Sequence, residues 1–210
     1  MIMKEGQTST LVLGEGITEF YYFNSIHTVY PNIIIQPRYP KHTSLSDLQE
    51  KIEEGIKQGF RYIFCVIDMD TKENGAERTK YMAFKNKYAG EINKPKKGIL
   101  CKIEFFETHR CTELFFLYYF QYTSRVHVTQ DELLEDLRKK VAYEKTNEFF
   151  RKSKGLHSFL EENGGKLSEA IANANKSMTE KEQDGRNYTY SELGKLMQKL
   201  DVLCRDMQED

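Results

Sequence analysis

The run Arg61-Tyr-Ile-Phe-Cys-Val-Ile67 constrains the fold more than any other stretch of this chain. Apolar residues fill it without the alternation of a half-buried strand, so both of its faces need cover. That is the pattern of a central strand in a parallel sheet flanked by helices. The run discharges directly into Asp68-Met-Asp70-Thr71, which sets two carboxylates at the carboxyl end of a strand, where such sheets place their sites. A second strand-to-helix turn lies upstream. There Leu11-Val-Leu-Gly-Glu15-Gly is followed by a helical pattern from near Thr18, with Glu19 in its first turn.

The rest of the pattern extends this α/β reading. A helix over residues 18–30 carries an aromatic face of Phe20, Tyr21, Phe23 and Tyr30, read as packing against the sheet rather than as a base-stacking surface. Asn32-Ile-Ile-Ile35-Gln is a short strand, and residues 36–43, with two prolines, are loop. Ser44-Leu-Ser-Asp47 has capping-box spacing before a helix buried through Leu48, Ile52 and Ile56. After a polar loop over residues 72–77 comes a helix through Phe84 and Tyr88. Residues 93–98 form a basic turn, and residues 99–106 a fourth strand. From Thr129 onward only helices are expected. Thr129-Gln-Asp-Glu132 and Thr189-Tyr-Ser-Glu192 each open one, and Gly164-Gly165 and the polar residues 176–187 separate the others. The division expected is an α/β part over residues 1–125 and a helical part over 126–210, packed on it or continuous with it.

Composition narrows the function classes. A formal charge of −1 gives no global electrostatic case for nucleic acid, so any basic surface must be local. No apolar run approaches a membrane span and no signal-peptide segment stands at the start, so a cytoplasmic protein away from membranes is expected. Cys65, Cys101, Cys111 and Cys204 lack metal-binding spacing and are read as thiols in a reducing compartment. The histidines are scattered, with no zinc spacing. His109 and Arg110 stand close to Glu113 in sequence.

In a parallel sheet the turn carrying Glu15 and Glu19 and the one carrying Asp68 and Asp70 open at the same edge. Four carboxylates converging there repel one another unless cations bind between them, and hard oxygen ligands suit Mg²⁺ or Mn²⁺. Each part has a plainer reading: Glu15 as a residue capping the following helix, the aspartates as a solvated acidic turn.

Glu15-Gly-Ile-Thr-Glu19-Phe-Tyr-Tyr-Phe23, Asp68-Met-Asp70, Glu113 before an aromatic run, and Tyr143-Glu-Lys145 together resemble the RloB-like family of TOPRIM-domain proteins, over about residues 8–200. The resemblance implies a TOPRIM-like parallel sheet flanked by helices, in which a glutamate and an Asp-x-Asp pair bind Mg²⁺. Related OLD-type nucleases cut phosphodiester bonds with two metals, using a second Glu four residues after the first and a downstream Lys. Glu19 and Lys145 match those places. By this resemblance Glu15, Asp68 and Asp70 hold one ion, Glu19 and Glu113 help a second, and Lys145 neutralises the phosphate. RloB-like proteins tend to accompany anti-phage and restriction loci, often beside an ATPase of ABC or AAA type. The chain departs from the family at Thr108-His-Arg-Cys-Thr-Glu113-Leu-Phe115, where a Ser-Asn-Pro-x-Phe-Glu-x-Trp run is usual, and it has no Trp at all.

The function expected is therefore metal-dependent hydrolysis of DNA or RNA. Lys139, Lys140, Arg151, Lys152 and Lys154, with Phe149 and Phe150 interleaved, are a candidate strand-tracking surface whose plainer reading is a solvated helix face. Two rivals remain: a non-catalytic TOPRIM adaptor for an ATPase, and an Asp-x-Asp phosphatase built on Val66-Ile-Asp68-Met-Asp70-Thr71, which lacks the usual Gly before the Thr. The choice of DNA or RNA, and whether the chain forms a homo-oligomer, stay open.

Overall fold

The computed structural model describes residues 9–31, 34–37, 44–153 and 155–209. The elements follow in the order β1 (Ser9–Leu13), α1 (Ile17–Ser25), β2 (Ile34–Pro37), α2 (Leu45–Lys57), β3 (Tyr62–Asp68), α3 (Gly75–Tyr88), β4 (Gly90–Lys94) and β5 (Ile99–His109). A helical series comes next: α4 (Glu113–Tyr118), α5 (Gln130–Arg138), α6 (Asn147–Lys152), α7 (Leu156–Glu162) and α8 (Leu167–Asp184). The two-residue β6 (Tyr190–Ser191) and α9 (Leu193–Glu209) close the described chain.

The sheet order is β2-β1-β3-β5-β4, with β6 added against β5. The pairs β1·β2, β1·β3 and β3·β5 are parallel, while β4 and β6 run antiparallel to β5. This is an α/β fold with a mixed, mostly parallel open sheet. The central place expected for the 61–67 run holds. In β3, Ile63 to Ile67 are all buried, with side chains alternating between two apolar layers. Val12, Phe64, Val66 and Phe106 face a core shared with α1 and α4 to α9, whereas Leu11, Leu13, Ile63, Cys65, Ile67, Ile103 and Phe105 face α2 and α3. Leu133, Leu137, Leu160, Ala174, Leu196 and Leu200 belong to the first of these cores, so the helices after residue 126 share the apolar interior of the sheet.

Local signals account for several elements. The Ser44 and Thr129 hydroxyls accept N–H bonds from Asp47 and Glu132, as their capping spacing requires. α1 stops at Ser25, short of Tyr30, and its deepest side chains are Tyr22 and Phe23 rather than Phe20 and Tyr21. Residues 32, 33, 38–43 and 154 lie outside the described residues, so part of the expected second strand and most of the following loop are not described.

Three expectations are corrected. β4 was not expected, and its last two residues fall in the basic turn: its side chains are mostly exposed, so it has no apolar alternation, and only backbone pairing with β5 makes it a strand. The fourth strand in sequence reading is therefore the fifth, and it runs on to His109. Thr189-Tyr-Ser-Glu192 opens no helix at Thr189: Tyr190 and Ser191 pair with His109 and Thr108, and α9 begins only at Leu193. Finally, the polar residues 176–184 continue α8, whose polar side chains face solvent while Ala170, Ala174, Ser177 and Met178 are buried. Among the described residues no helix is long and apolar enough to cross a membrane. Cys65, Cys101 and Cys111 are buried thiols and Cys204 a thiol of intermediate exposure, none of them in a disulfide.

Candidate functional site

The turn after β1 is shaped around Glu19. The Gly16 N–H donates to Glu19 Oε2 at 2.6 Å, folding the carboxylate back over the start of α1. A Cβ at Gly14 would lie 2.2 Å from Glu19 Cβ, and one at Gly16 would lie 2.9 Å from Glu19 Oε2. The two glycines thus make room for a carboxylate rather than offering N–H groups to a phosphate. Gly14→Ala forces either the turn or Glu19 to move, and overpacking of this kind costs about 1–3 kcal/mol. The expected result is a lower urea midpoint with an unchanged m-value. An unperturbed midpoint would show that the glycines are not needed for space.

Three segments meet behind this turn. At the end of β3, Asp68 Oδ1 accepts from the Thr112 N–H at 2.9 Å and from its hydroxyl at 3.2 Å. Thr112 precedes Glu113, the first residue of α4, whose carboxylate is fully buried. Glu113 Oε1 accepts from Thr18 Oγ1 at 3.1 Å and Tyr143 Oη at 3.0 Å, and lies 2.9 Å from Lys145 Nζ. Glu113 Oε2 is buried without a hydrogen-bond partner. Nearer the mouth, Lys72 Nζ binds Glu15 Oε2 at 2.9 Å and the Asp68 carbonyl at 3.0 Å.

The charges feel one another strongly. Burial pushes the Asp68 carboxyl well above the usual range, and the Glu19, Glu113 and Glu15 carboxylates add to that rise. Glu19 is raised by burial and then by Glu113, and Glu15 by burial, with Lys72 opposing. Glu113 goes the other way. Burial acts to raise it, but the Lys145 ammonium and the hydrogen bonds it accepts outweigh burial, and the net shift is downward. Lys145 is the mirror image: burial works to lower it, and Glu113 carries it upward on balance.

Of the residues expected at the site, buried Glu19 and Glu113 come together with half-buried Asp68 and Lys145, and Glu15 joins at the mouth through Lys72. Asp70 does not converge with Asp68. Its side chain is exposed and accepts from the Thr71 N–H at 2.7 Å, because the chain turns at the end of β3 instead of continuing extended. The expectation that only divalent cations make the acidic cluster tolerable is also corrected, since Lys72 and Lys145 supply part of the compensating charge. Among the described residues no three His, Cys, Asp or Glu side chains stand in a metal-holding arrangement. The donor chemistry still fits a hard divalent ion: the acidic groups are all carboxylates, and one buried oxygen of Glu113 has no hydrogen-bond partner.

The basic stretch divides differently. Lys139, Lys140, Arg151 and Lys152 are exposed, with Lys139 paired to Asp136 at 2.7 Å and Lys152 to Glu148 at 2.5 Å, and Lys154 lies outside the described residues. Phe150 is buried and Phe149 packs edge-on against Tyr143 and Phe159, so neither ring is free to stack on a base. His109 and Arg110 turn away from Glu113: the imidazole binds Glu73 and accepts the Thr189 N–H at 3.1 Å, and Arg110 Nε binds the His127 carbonyl. Thr108 is a buried strand residue hydrogen-bonded to Ser191. Sequence reading missed the roles of Lys72, Thr112 and Thr18. Lys72, four residues after Asp68, carried a spacing that could have marked it; Thr112 and Thr18 carried none beyond adjacency to Glu113 and Glu19.

A family model described as RloB-like protein matches residues 10–200. Neither the curated proteins nor the solved structures contain a match to this chain. The matched span runs from β1 into α9 and includes every residue of the acidic site, and the chain belongs to the RloB-like protein family.

Proposed function

We propose that this chain is a TOPRIM-class nuclease that hydrolyses phosphodiester bonds in DNA or RNA with Mg²⁺ or Mn²⁺, acting in anti-phage or restriction-linked defence beside an ABC- or AAA-type ATPase. One observation carries the reading. Carboxylates from three separate segments, buried Glu19 and Glu113 and half-buried Asp68, gather around Lys145, and Glu113 keeps a buried oxygen with no hydrogen-bond partner. Buried charge at this density is costly to stability and is the mark of a site kept for chemistry.

Glu15, Glu19, Asp68 and Glu113 would hold the metal, with Asp70 at the rim. When bound, such an ion supplies Lewis-acid polarisation of a phosphate and a water of lowered pKa. The chain's own groups do the rest. Thr112 fixes the Asp68 carboxylate through two donors, and Thr18 and Tyr143 fix Glu113, so the acidic oxygens are oriented in advance. Lys145 and Lys72 present ammonium groups that favour an approaching phosphate and counter the negative charge that grows on it as water adds to phosphorus and the ester oxygen leaves.

A second reading has an observation of its own. The pairs Lys72–Glu15 and Lys145–Glu113 close the cluster without an ion, as they would in an adaptor that retains the scaffold. One experiment separates the two: incubation of labelled DNA and RNA substrates with Mg²⁺, Mn²⁺ or EDTA, comparing wild type with Glu15→Ala, alone and with any neighbouring ATPase. Cleavage that needs metal and is lost in the variant supports the nuclease. Absence of cleavage under every condition, with the protein folded, supports the adaptor. Hydrolysis confined to small phosphate monoesters would shift the reading to a phosphatase.

A further inference from the structure

At the end of the sheet away from the carboxylates, a cleft of about 480 Å³ opens between α9 and the strands β3 and β5. Its floor is built from two register pairs, Tyr62 with Lys102 and Phe64 with Glu104. Its wall is a second face of α9. Leu193, Leu196, Met197 and Leu200 bury one face of that helix in the core. The residues at the complementary spacing, Lys195, Lys199, Val202, Leu203 and Asp206, turn to the cleft. Val202 is 47% exposed there, an apolar side chain that no part of the described chain covers.

Three lysines, Lys102, Lys195 and Lys199, line the cleft together with Glu104 and Asp206. Glu104 is shared, with Lys199 Nζ at 2.7 Å and Lys102 Nζ at 3.5 Å, and Lys195 Nζ lies 3.8 Å from the exposed Glu182 of α8. Lys195 and Lys199 stand one helical turn apart on the same face, a spacing of about 6 Å that two ammonium groups can close around one phosphate. Asp206 lies about 10 Å further along the helix, and accepts but does not donate.

We propose that this cleft binds a nucleoside phosphate, with the phosphate between Lys195 and Lys199 and the base on Tyr62, Val202 and Leu203. The volume falls in the range of small-molecule sites. The opposed features select the class. An apolar ligand leaves the lysines unused, and inorganic phosphate leaves the apolar floor wet. A fatty acid offers Asp206 no donor, whereas a nucleoside carries hydroxyl and exocyclic amine donors at about the right distance from its phosphate. The site is separate from the acidic cluster and does not depend on nuclease activity.

The test is titration calorimetry of the full chain with AMP, ADP, ATP, adenosine and inorganic phosphate in EDTA, which keeps metal-nucleotide complexes out of the acidic cluster. The expected result is one site for a nucleoside phosphate, with adenosine and phosphate each at least about tenfold weaker. Lys195→Ala/Lys199→Ala, both at the surface, should weaken it by about tenfold or more, and Asp68→Asn should leave it unchanged. No binding of any nucleotide at millimolar concentration overturns the proposal. So does binding that survives the double lysine variant, or that disappears with Asp68→Asn.

Discussion

Asp68→Asn is expected to give a protein that is more stable than the wild type at neutral pH and at least about a hundredfold slower in metal-dependent cleavage, the loss that even an outer partner of a metal ligand can cause. The two effects have one origin. The carboxyl of Asp68 sits where burial, Glu19, Glu113 and Glu15 all favour its neutral form. An Asn side chain keeps an oxygen for the Thr112 N–H and hydroxyl but removes the charge, so replacement relieves repulsion at almost constant shape. A gain of about 1–2 kcal/mol is the scale on which relief of a buried charge is felt.

The pH dependence fixes the sign. A carboxyl whose affinity for protons rises on folding binds more protons in the native than in the unfolded state, so stability falls as pH climbs above the ordinary carboxylate range. Glu15, Glu19 and Asp68 all contribute in that direction. Urea titrations at several pH values should show the stability of Asp68→Asn relative to wild type growing from acid toward neutrality, because the variant lacks the Asp68 contribution that falls as pH climbs. A variant that is less stable than wild type, or that still cuts nucleic acid, would remove Asp68 from the role assigned to it.

Lys145→Met should be the most destabilising single change at the site, by about 3 kcal/mol at neutral pH. Glu113 is fully buried, and Lys145, with 30% of its side chain exposed, is its only ion-pair partner among the described residues. In the wild type the depressed Glu113 carboxyl stabilises the fold above its ordinary value of 4.5 and loses that contribution as pH falls. The raised Lys145 ammonium stabilises it below its ordinary value of 10.5 and loses that contribution as pH rises. The pair is therefore at full strength across the neutral range. With Met in place of Lys145, only the hydrogen bonds to Glu113 oppose its burial, the carboxyl resists ionisation, and the penalty grows with pH and is relieved in acid. Lys145→Met/Glu113→Gln should recover most of the loss, because it removes the charge left behind. A pH-independent cost, or no rescue in the double variant, would mean that the ion pair is not what holds this corner together.

Local pattern carried much of this protein. The unbroken apolar run of β3 required cover on both faces and received it, and Ser44 and Thr129 started their helices because a hydroxyl can satisfy an N–H wherever the chain lies. The Gly14-Glu15-Gly16 turn was legible as a carboxylate-bearing turn because glycine spacing and charge are local properties. Glu113 and Lys145 came from family resemblance, since nothing in residues 113–145 taken alone says that they touch. β4 was illegible for the opposite reason: an exposed edge strand has no burial to pattern it, and its conformation is set by the backbone of β5. The same holds for β6, where two residues become a strand only because His109 and Thr108 lie alongside.

Residue order was enough to end parallel strands in carboxylates at one edge, because strand burial and turn chemistry are fixed by neighbours in the chain. Which of those carboxylates are desolvated, and what answers their charge, was settled by packing across the fold. It turned Asp70 out to water, brought Thr112 to Asp68, and set Lys72 and Lys145 against Glu15 and Glu113. Electrostatic energy depends on distance through space and on the exclusion of water, and neither quantity is written in residue order.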